Sequence, residues 1–251
     1  MAEMRGRRRG PNALASMALL AMFLLAACRR PPQEIFREGM AAYQQGDYAT
    51  ALARWRPLAE AGDADAQTNV GLLYSQGKGV PQNAAEAFRW YRLAALQHHM
   101  DAQYNLALLY RDGKGVEPSP EEAARWFRYA AERGHLRAAL RLADLYAAGT
   151  GVPEDDREAV RWYEMAADRG EPEAQLKLAE ILARGDGVPP DRARAYLWYS
   201  AAVVQDYDRL IAARASMGRM RLLAQMDEVE IIEGERQFQE WRDIKRTEAN
   251  Q

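Results

Sequence analysis

Four short stretches carry the residue types most able to do chemistry: YSQGKGV at 74–80, YRDGKGV at 110–116, YAAGTGV at 146–152 and LARGDGV at 182–188. A lysine between two glycines could cradle a phosphate, because backbone N–H groups and an ammonium converge where no side chain intrudes. A phosphate loop, however, requires Gly-x-x-x-x-Gly-Lys-Ser/Thr between a strand and a helix, and the dinucleotide-binding turn also follows a strand. Here Lys78 and Lys114 are followed by glycine, and Thr150 and Asp186 take the lysine position in the other two copies. An aspartate repels a phosphate. The segments before these turns read as helical, so no nucleotide and no cofactor is expected.

The three histidines are His98, His99 and His135, the last two 36 residues apart. No His, Cys, Asp or Glu cluster has ligand spacing, so no metal is expected. They read as solvated turn residues. No Ser-His-Asp or Cys-His set can be assembled, and a nucleophile needs a poised base. No catalytic residue is therefore assigned, and the chain reads as a non-enzyme.

Cys28 is the only cysteine in 251 residues. It follows Arg5, Arg7, Arg8 and Arg9 and an uncharged apolar run over 13–27. That run is short for a membrane span and suits a signal-peptide core. Leu25-Ala26-Ala27-Cys28 resembles the lipobox of bacterial lipoproteins, which implies cleavage before Cys28 and lipid attachment to it. Removing residues 1–27 deletes four arginines and Glu3, leaving a net charge of −5. A chain of that charge has no global basic field for nucleic acid. Arg29 follows the cysteine, not the aspartate of inner-membrane retention. That resemblance implies an outer-membrane lipoprotein facing the periplasm, with RRPPQE as a short tether in segment 28–34.

These residues must be positioned by a repeat. Gly77, Gly113, Gly149 and Gly185 stand 36 apart, as do Gly79, Gly115, Gly151 and Gly187. Trp90, Trp126, Trp162 and Trp198 keep the step, each followed by an aromatic residue, and so do Ala66, Ala102, Ala138 and Ala174. In each copy Ala66, Val70, Leu73 and Tyr74 and their counterparts form the apolar stripe of a first helix. Trp90, Tyr91, Ala94 and Ala95 form that of a second. Gly71, Ala107, Ala143 and Ala179 are small enough for close helix approach. Asn83, Ser119, Asp155 and Asp191 are N-cap types. Glu86, Glu122 and Glu158 follow three positions on as the other half of a capping box, which Arg194 breaks in the fourth copy. The first glycine of each turn is expected to close helix one in a left-handed conformation.

The stretch AQTNVGLLYSQGKGV…AAEAFRWYRLAA closely resembles the Sel-1-like repeat, a longer relative of the tetratricopeptide repeat, over residues 64–204. The resemblance implies an all-α fold: antiparallel helix pairs stacked into a right-handed superhelix. The expected units are 63–98, 99–134, 135–170 and 171–205. Segment 35–62, with Gly46-Asp47 as a tighter connection, reads as a tetratricopeptide-like cap, since solenoid ends depart from consensus. Segment 206–251 reads as closing helices, with Leu210, Met217, Leu222, Leu223, Phe238 and Trp241 against the last repeat, and a polar tail. The paired cysteines of the members linked to penicillin binding are absent here.

In this family the first helices line the concave side. The stripe left free by the core is Asp65, Asn69, Leu72 and Gln76, then Asp101, Asn105, Leu108 and Asp112. It continues through Arg137, Arg141, Asp144 and Ala148, then Glu173, Lys177, Glu180 and Arg184. Asn69 and Asn105 can donate to and accept from peptide backbone, and Leu72 and Leu108 add apolar contact. Arg141 with Asp144, and Lys177 with Glu180, stand at i, i+3, where they can pair with each other. The expected function is a non-enzymatic scaffold that binds protein or peptide partners in the envelope. The alternatives are a peptidoglycan-binding module or an enzyme acting on the cell wall, and an accessory scaffold of polysaccharide or protein export.

Overall fold

The computed structural model describes residues 31–204 and 209–249. Cys28 and the signal segment lie outside the described residues. The described residues form twelve helices and no strand. The first pair is α1 (Pro32–Gln44) with α2 (Tyr48–Glu60). Then come α3 (Ala64–Gln76) with α4 (Ala84–Leu96), and α5 (Met100–Asp112) with α6 (Pro120–Glu132). The series ends with α7 (Leu136–Ala148) and α8 (Asp156–Asp168), then α9 (Pro172–Arg184) and α10 (Arg192–Val204). Each of these ten helices has 13 residues. Two closing helices follow, α11 (Arg209–Leu223) and α12 (Glu228–Ala249). The architecture is an all-α solenoid of stacked helix pairs.

A helix must dispose of its free terminal backbone groups, and the repeated turn does this at both ends. Gly77, Gly113, Gly149 and Gly185 close the first helices with φ of 67°, 65°, 59° and 78°. In that left-handed conformation the Gly77 N–H donates to Leu73 O. The second glycine does a different job. A Cβ on Gly79 would stand 2.6 Å from the Tyr48 carbonyl carbon, and one on Gly115 or Gly151 would collide with the Ala84 or Pro120 peptide. Each second glycine thus rests on the first turn of the second helix one repeat earlier. Lysine at the centre is incidental to both roles, although Lys78 Nζ lies over the Tyr48 ring at 5.0 Å.

Asn83, Ser119 and Asp155 each accept from the N–H three residues on, and Asp191 accepts from Arg194 N. The expected capping box is only half made. The backbone N–H of Asn83, Ser119 and Asp155 goes to Tyr74, Tyr110 and Tyr146 carbonyls of the preceding helix. With that donor satisfied, the glutamates face elsewhere. Glu86, Glu122 and Glu158 each pair with Arg89, Arg125 and Arg161. Those guanidinium groups lie 5.0–5.9 Å from the centres of the adjacent Trp90, Trp126 and Trp162 rings.

The core runs along the seam between helix pairs. Trp55, Trp90, Trp126, Trp162 and Trp198 are buried there among alanines. Helices approach closely because the facing position is small: a Cβ on Gly71 would meet the Tyr91 ring at 2.9 Å. At the far end Ala215, Gly218 and Leu222 of α11 turn inward, Gly218 against Tyr199. Trp241 of α12 meets Trp198 edge-on at 6.1 Å, with Phe238 stacked beside it. Leu210 and Met217, expected in this contact, are exposed instead. The inward stripe of α11 passes through 215, 218 and 222, which puts 217 on the other side.

Candidate partner-binding face

The first helices α3, α5, α7 and α9 stand side by side, and their free stripes form one face linked from repeat to repeat. His99 Nε2 meets Asp65 Oδ1 at 2.9 Å, and His135 Nε2 meets Asp101 Oδ1 at 3.4 Å. The same two imidazoles accept at Nδ1 from the Ala102 and Ala138 N–H groups. His99 and His135 are therefore N-caps, replacing the Asp63 that caps α3. They are not the solvated turn residues expected, because an N-cap imidazole must sit against the backbone it serves. Tyr104 stacks on His135 at 4.4 Å between centroids. Burial lowers the His135 pKa against the opposing pull of Asp101.

The face divides into two zones. In the first, Asn69, Leu72, Asn105 and Leu108 are all partly exposed. Among the described residues Asn69 Nδ2 has only the Met40 sulfur, 3.9 Å away, and Asn105 makes no side-chain hydrogen bond. Their amides and leucines remain available to a partner. Asp65 and Asp101 border this zone.

In the second zone the charges are spent on each other. Arg141 donates to Asp144 at 3.0 Å and to Glu173 at 3.0 Å. Lys177 Nζ lies 2.5 Å from Asp144 Oδ1 and 3.8 Å from Glu173. Tyr163, from the second-helix row, donates to Asp144 Oδ1 at 2.6 Å, and burial with this bond pushes its phenol pKa up. Arg141 and Asp144 pair as expected at i, i+3. The expected Lys177–Glu180 pair does not form: Lys177 reaches across the repeat boundary, and Glu180 takes Arg214 of α11 at 3.3 Å. Adjacent first helices bring those partners closer than one turn of a single helix does. The side chains of the four-charge cluster are about a quarter to a third exposed, and its formal charges cancel.

A further set of structural residues follows the same step, but spacing alone does not show what it does. Gln67, Gln103 and Gln175 recur at the 36-residue step, with Ala139 in the third copy. Each donates from Nε2 to a carbonyl of the preceding second helix: Ala59, Ala95 and Ala167. Among the described residues no group of His, Cys, Asp and Glu could hold a metal. Among the same residues no helix is long and apolar enough to cross a membrane.

Repeated helix pairs, a glycine turn that seats each pair on the last, and a continuous first-helix face define a helical-repeat solenoid. The chain belongs to the Sel1 repeat family, whose repeat matches residues 64–99, 101–135, 136–171 and 172–203. Among solved structures it is similar to a Sel1 repeat protein from Oxalobacter formigenes. The two share 34% identity over 78% of this chain and 86% of that one, with a TM-score of 0.67. It is also similar to c5321, described as a protective antigen of uropathogenic Escherichia coli with an SLR fold. That match has 27% identity and a TM-score of 0.69, covering 88% of this chain and half of that one. No curated protein sequence matches the chain. Sel1 repeats generally build non-catalytic scaffolds for protein interaction.

Proposed function

We propose that this protein is a scaffold that binds an extended protein or peptide segment on its first-helix face, chiefly in the first two repeats. The observation that carries this reading is the contrast between the two zones. Asn105 has no internal partner and Leu72 and Leu108 are partly exposed, whereas Arg141, Asp144, Glu173 and Lys177 satisfy one another. An asparagine amide can donate and accept at once, the pattern that a peptide backbone presents. The charged zone then serves to hold α7 and α9 in register rather than to attract a partner. The test is a triple variant, Asn69→Ala, Asn105→Ala and Leu108→Ala, in affinity capture from membranes. Loss of a partner bound by the wild type supports the site; retention of every partner rejects it.

The reading places the scaffold at the cell envelope, anchored by lipid on Cys28 and facing the periplasm. Its support is the arginine-rich start, the uncharged apolar run and the Leu-Ala-Ala-Cys ending. Lipid chains add about 0.8 kcal/mol for each buried methylene, so two or three anchor firmly. Cys28→Ser is expected to abolish lipid labelling and release the protein from membranes. Unchanged membrane attachment would reject the anchor.

A further inference from the structure

Among the described residues, the glutamine that staples each repeat to the one before has both its amide groups satisfied at the first junction. There Gln97, just past the end of α4, donates from Nε2 to Gln67 Oε1 at 2.9 Å and to Gly62 O at 3.0 Å. At the next junction the residue 36 positions on is Arg133. It turns back and donates from Nη1 to Tyr129 O of its own helix. Gln103, 1% exposed, keeps its bond to Ala95 O, but its Oε1 is left buried with no partner. A buried acceptor without a donor is destabilising, so a group that supplies one is bound favourably.

Gln103 also lines a groove on the second-helix side, with a volume of about 480 Å³. Its walls include Leu96, Arg125, Trp126, Tyr129 and Arg133, with one carboxylate, Glu132, at the rim beside Arg133. Leu96 and Tyr129 are 56% and 39% exposed, a high value for large apolar surface. Arg125 is held by Glu122 at 2.7 Å, while Arg133 forms no ion pair among the described residues, Glu132 included, and spends Nη1 on the Tyr129 carbonyl. The groove therefore combines an unfilled acceptor, apolar walls and an unpaired cation. Gln97 shows, within the same chain, that an amide N–H fills the acceptor. The junction two repeats on is a contrast: Gln175 Oε1 is unpartnered too, but Asp168 and Ala201 stand where Leu96 and Tyr129 do and supply neither wall.

We infer that this groove is a second binding site, separate from the first-helix face, for an extended peptide bearing an apolar side chain next to a carboxylate. A backbone N–H of the peptide donates to Gln103 Oε1. The apolar side chain lies between Leu96 and Tyr129 against Trp126. The carboxylate draws Arg133 away from the Tyr129 carbonyl and pairs with it.

The test is fluorescence anisotropy of labelled Gly-Leu-Phe-Glu-Glu and Gly-Leu-Phe-Lys-Lys against the full chain. The acidic peptide is expected to bind and the basic one to bind at least about tenfold more weakly. Arg133→Gln recreates the Gln97 arrangement, fills Gln103 Oε1 from within, and is expected to weaken the acidic peptide by about tenfold. Its melting temperature should equal or exceed that of the wild type, which separates closure of the groove from unfolding. Leu96→Ser, at an exposed position, should weaken the peptide as well, whereas Lys114→Ala, on an exposed turn outside both faces, should leave it unchanged. Absence of binding to the wild type, equal binding of the two peptides, or wild-type affinity in Arg133→Gln would each overturn the assignment.

Discussion

The backbone of Gly115 rests directly on the peptide of Ala84, so that a Cβ at 115 would fall within the Ala84 carbonyl group. Ala84 opens the second helix of the preceding repeat, and the contact recurs between Gly79 and Tyr48 and between Gly151 and Pro120. The turn is thus the joint of the solenoid. Gly115→Ala must distort this joint and also holds φ at 74°, where a side chain is strained. We expect a loss of at least about 2 kcal/mol in urea denaturation, from strain and overpacking together. Lys114→Ala, between the two glycines, is expected to change stability by less than about 0.5 kcal/mol. Equal effects of the two substitutions would contradict the joint.

Trp126 is 7% exposed and packs in the seam between repeats. Trp126→Ala should cost about 3–5 kcal/mol and lower the melting temperature clearly. A variant that melts with the wild type would show that the tryptophan column is not the core.

Asp144 accepts from Arg141, Tyr163 and Lys177 at once. Its replacement by alanine leaves two half-buried cations with one carboxylate fewer. The expected loss is about 1–2 kcal/mol, between the values for exposed and buried pairs. Glu60→Ala, which removes the exposed Arg56 pair, is the reference and should cost far less. Chemical denaturation of both variants in low salt checks the difference.

The His135 cap is pH-dependent, with a definite sign. Its Nδ1 accepts from Ala138 N only while unprotonated, and burial lowers its folded pKa below the ordinary 6.5, against the attraction of Asp101 and with Arg137 reinforcing the shift. The unfolded chain therefore takes up the proton first. Stability is fully present above pH 6.5 and falls as the pH drops toward the folded value. Asparagine caps without titrating in this range. His135→Asn should accordingly flatten the stability profile between pH 7.5 and 5. An unchanged profile would assign the pH dependence to other groups.

Much of this was legible in the sequence because the repeat supplies its own ruler. The glycine pairs, the N-cap series and the tryptophan column were all readable from the 36-residue step, since each depends on local geometry that every copy repeats. Features set by contacts between repeats were not, among them the N-cap role of His99 and His135. The capping-box glutamates were read as locking their own N-caps, but the hairpin had already satisfied those N–H groups, a tertiary contact that outranks the local motif. Lys177 was read against Glu180 on its own helix, yet Asp144 of the neighbouring first helix is nearer, and such offsets follow from stacking. Leu210 and Met217 face away from the last repeat, because the repeat register that orients the other helices stops before α11. The Gln67–Gln103–Gln175 staple was visible as spacing, but a buried glutamine has no meaning until the carbonyl it serves is known.

On the proposed function, the first-helix face around Asn105 and Leu108 holds a protein or peptide partner. Site-specific photocrosslinking in cells tests it most directly, with benzoylphenylalanine placed at 105, at 108 and, as reference, at the exposed second-helix position 161. A discrete protein adduct is expected from 105 and 108, absent from 161 and lost when Asn69→Ala is added. Adducts equal at all three positions, or none at 105 and 108, would contradict it.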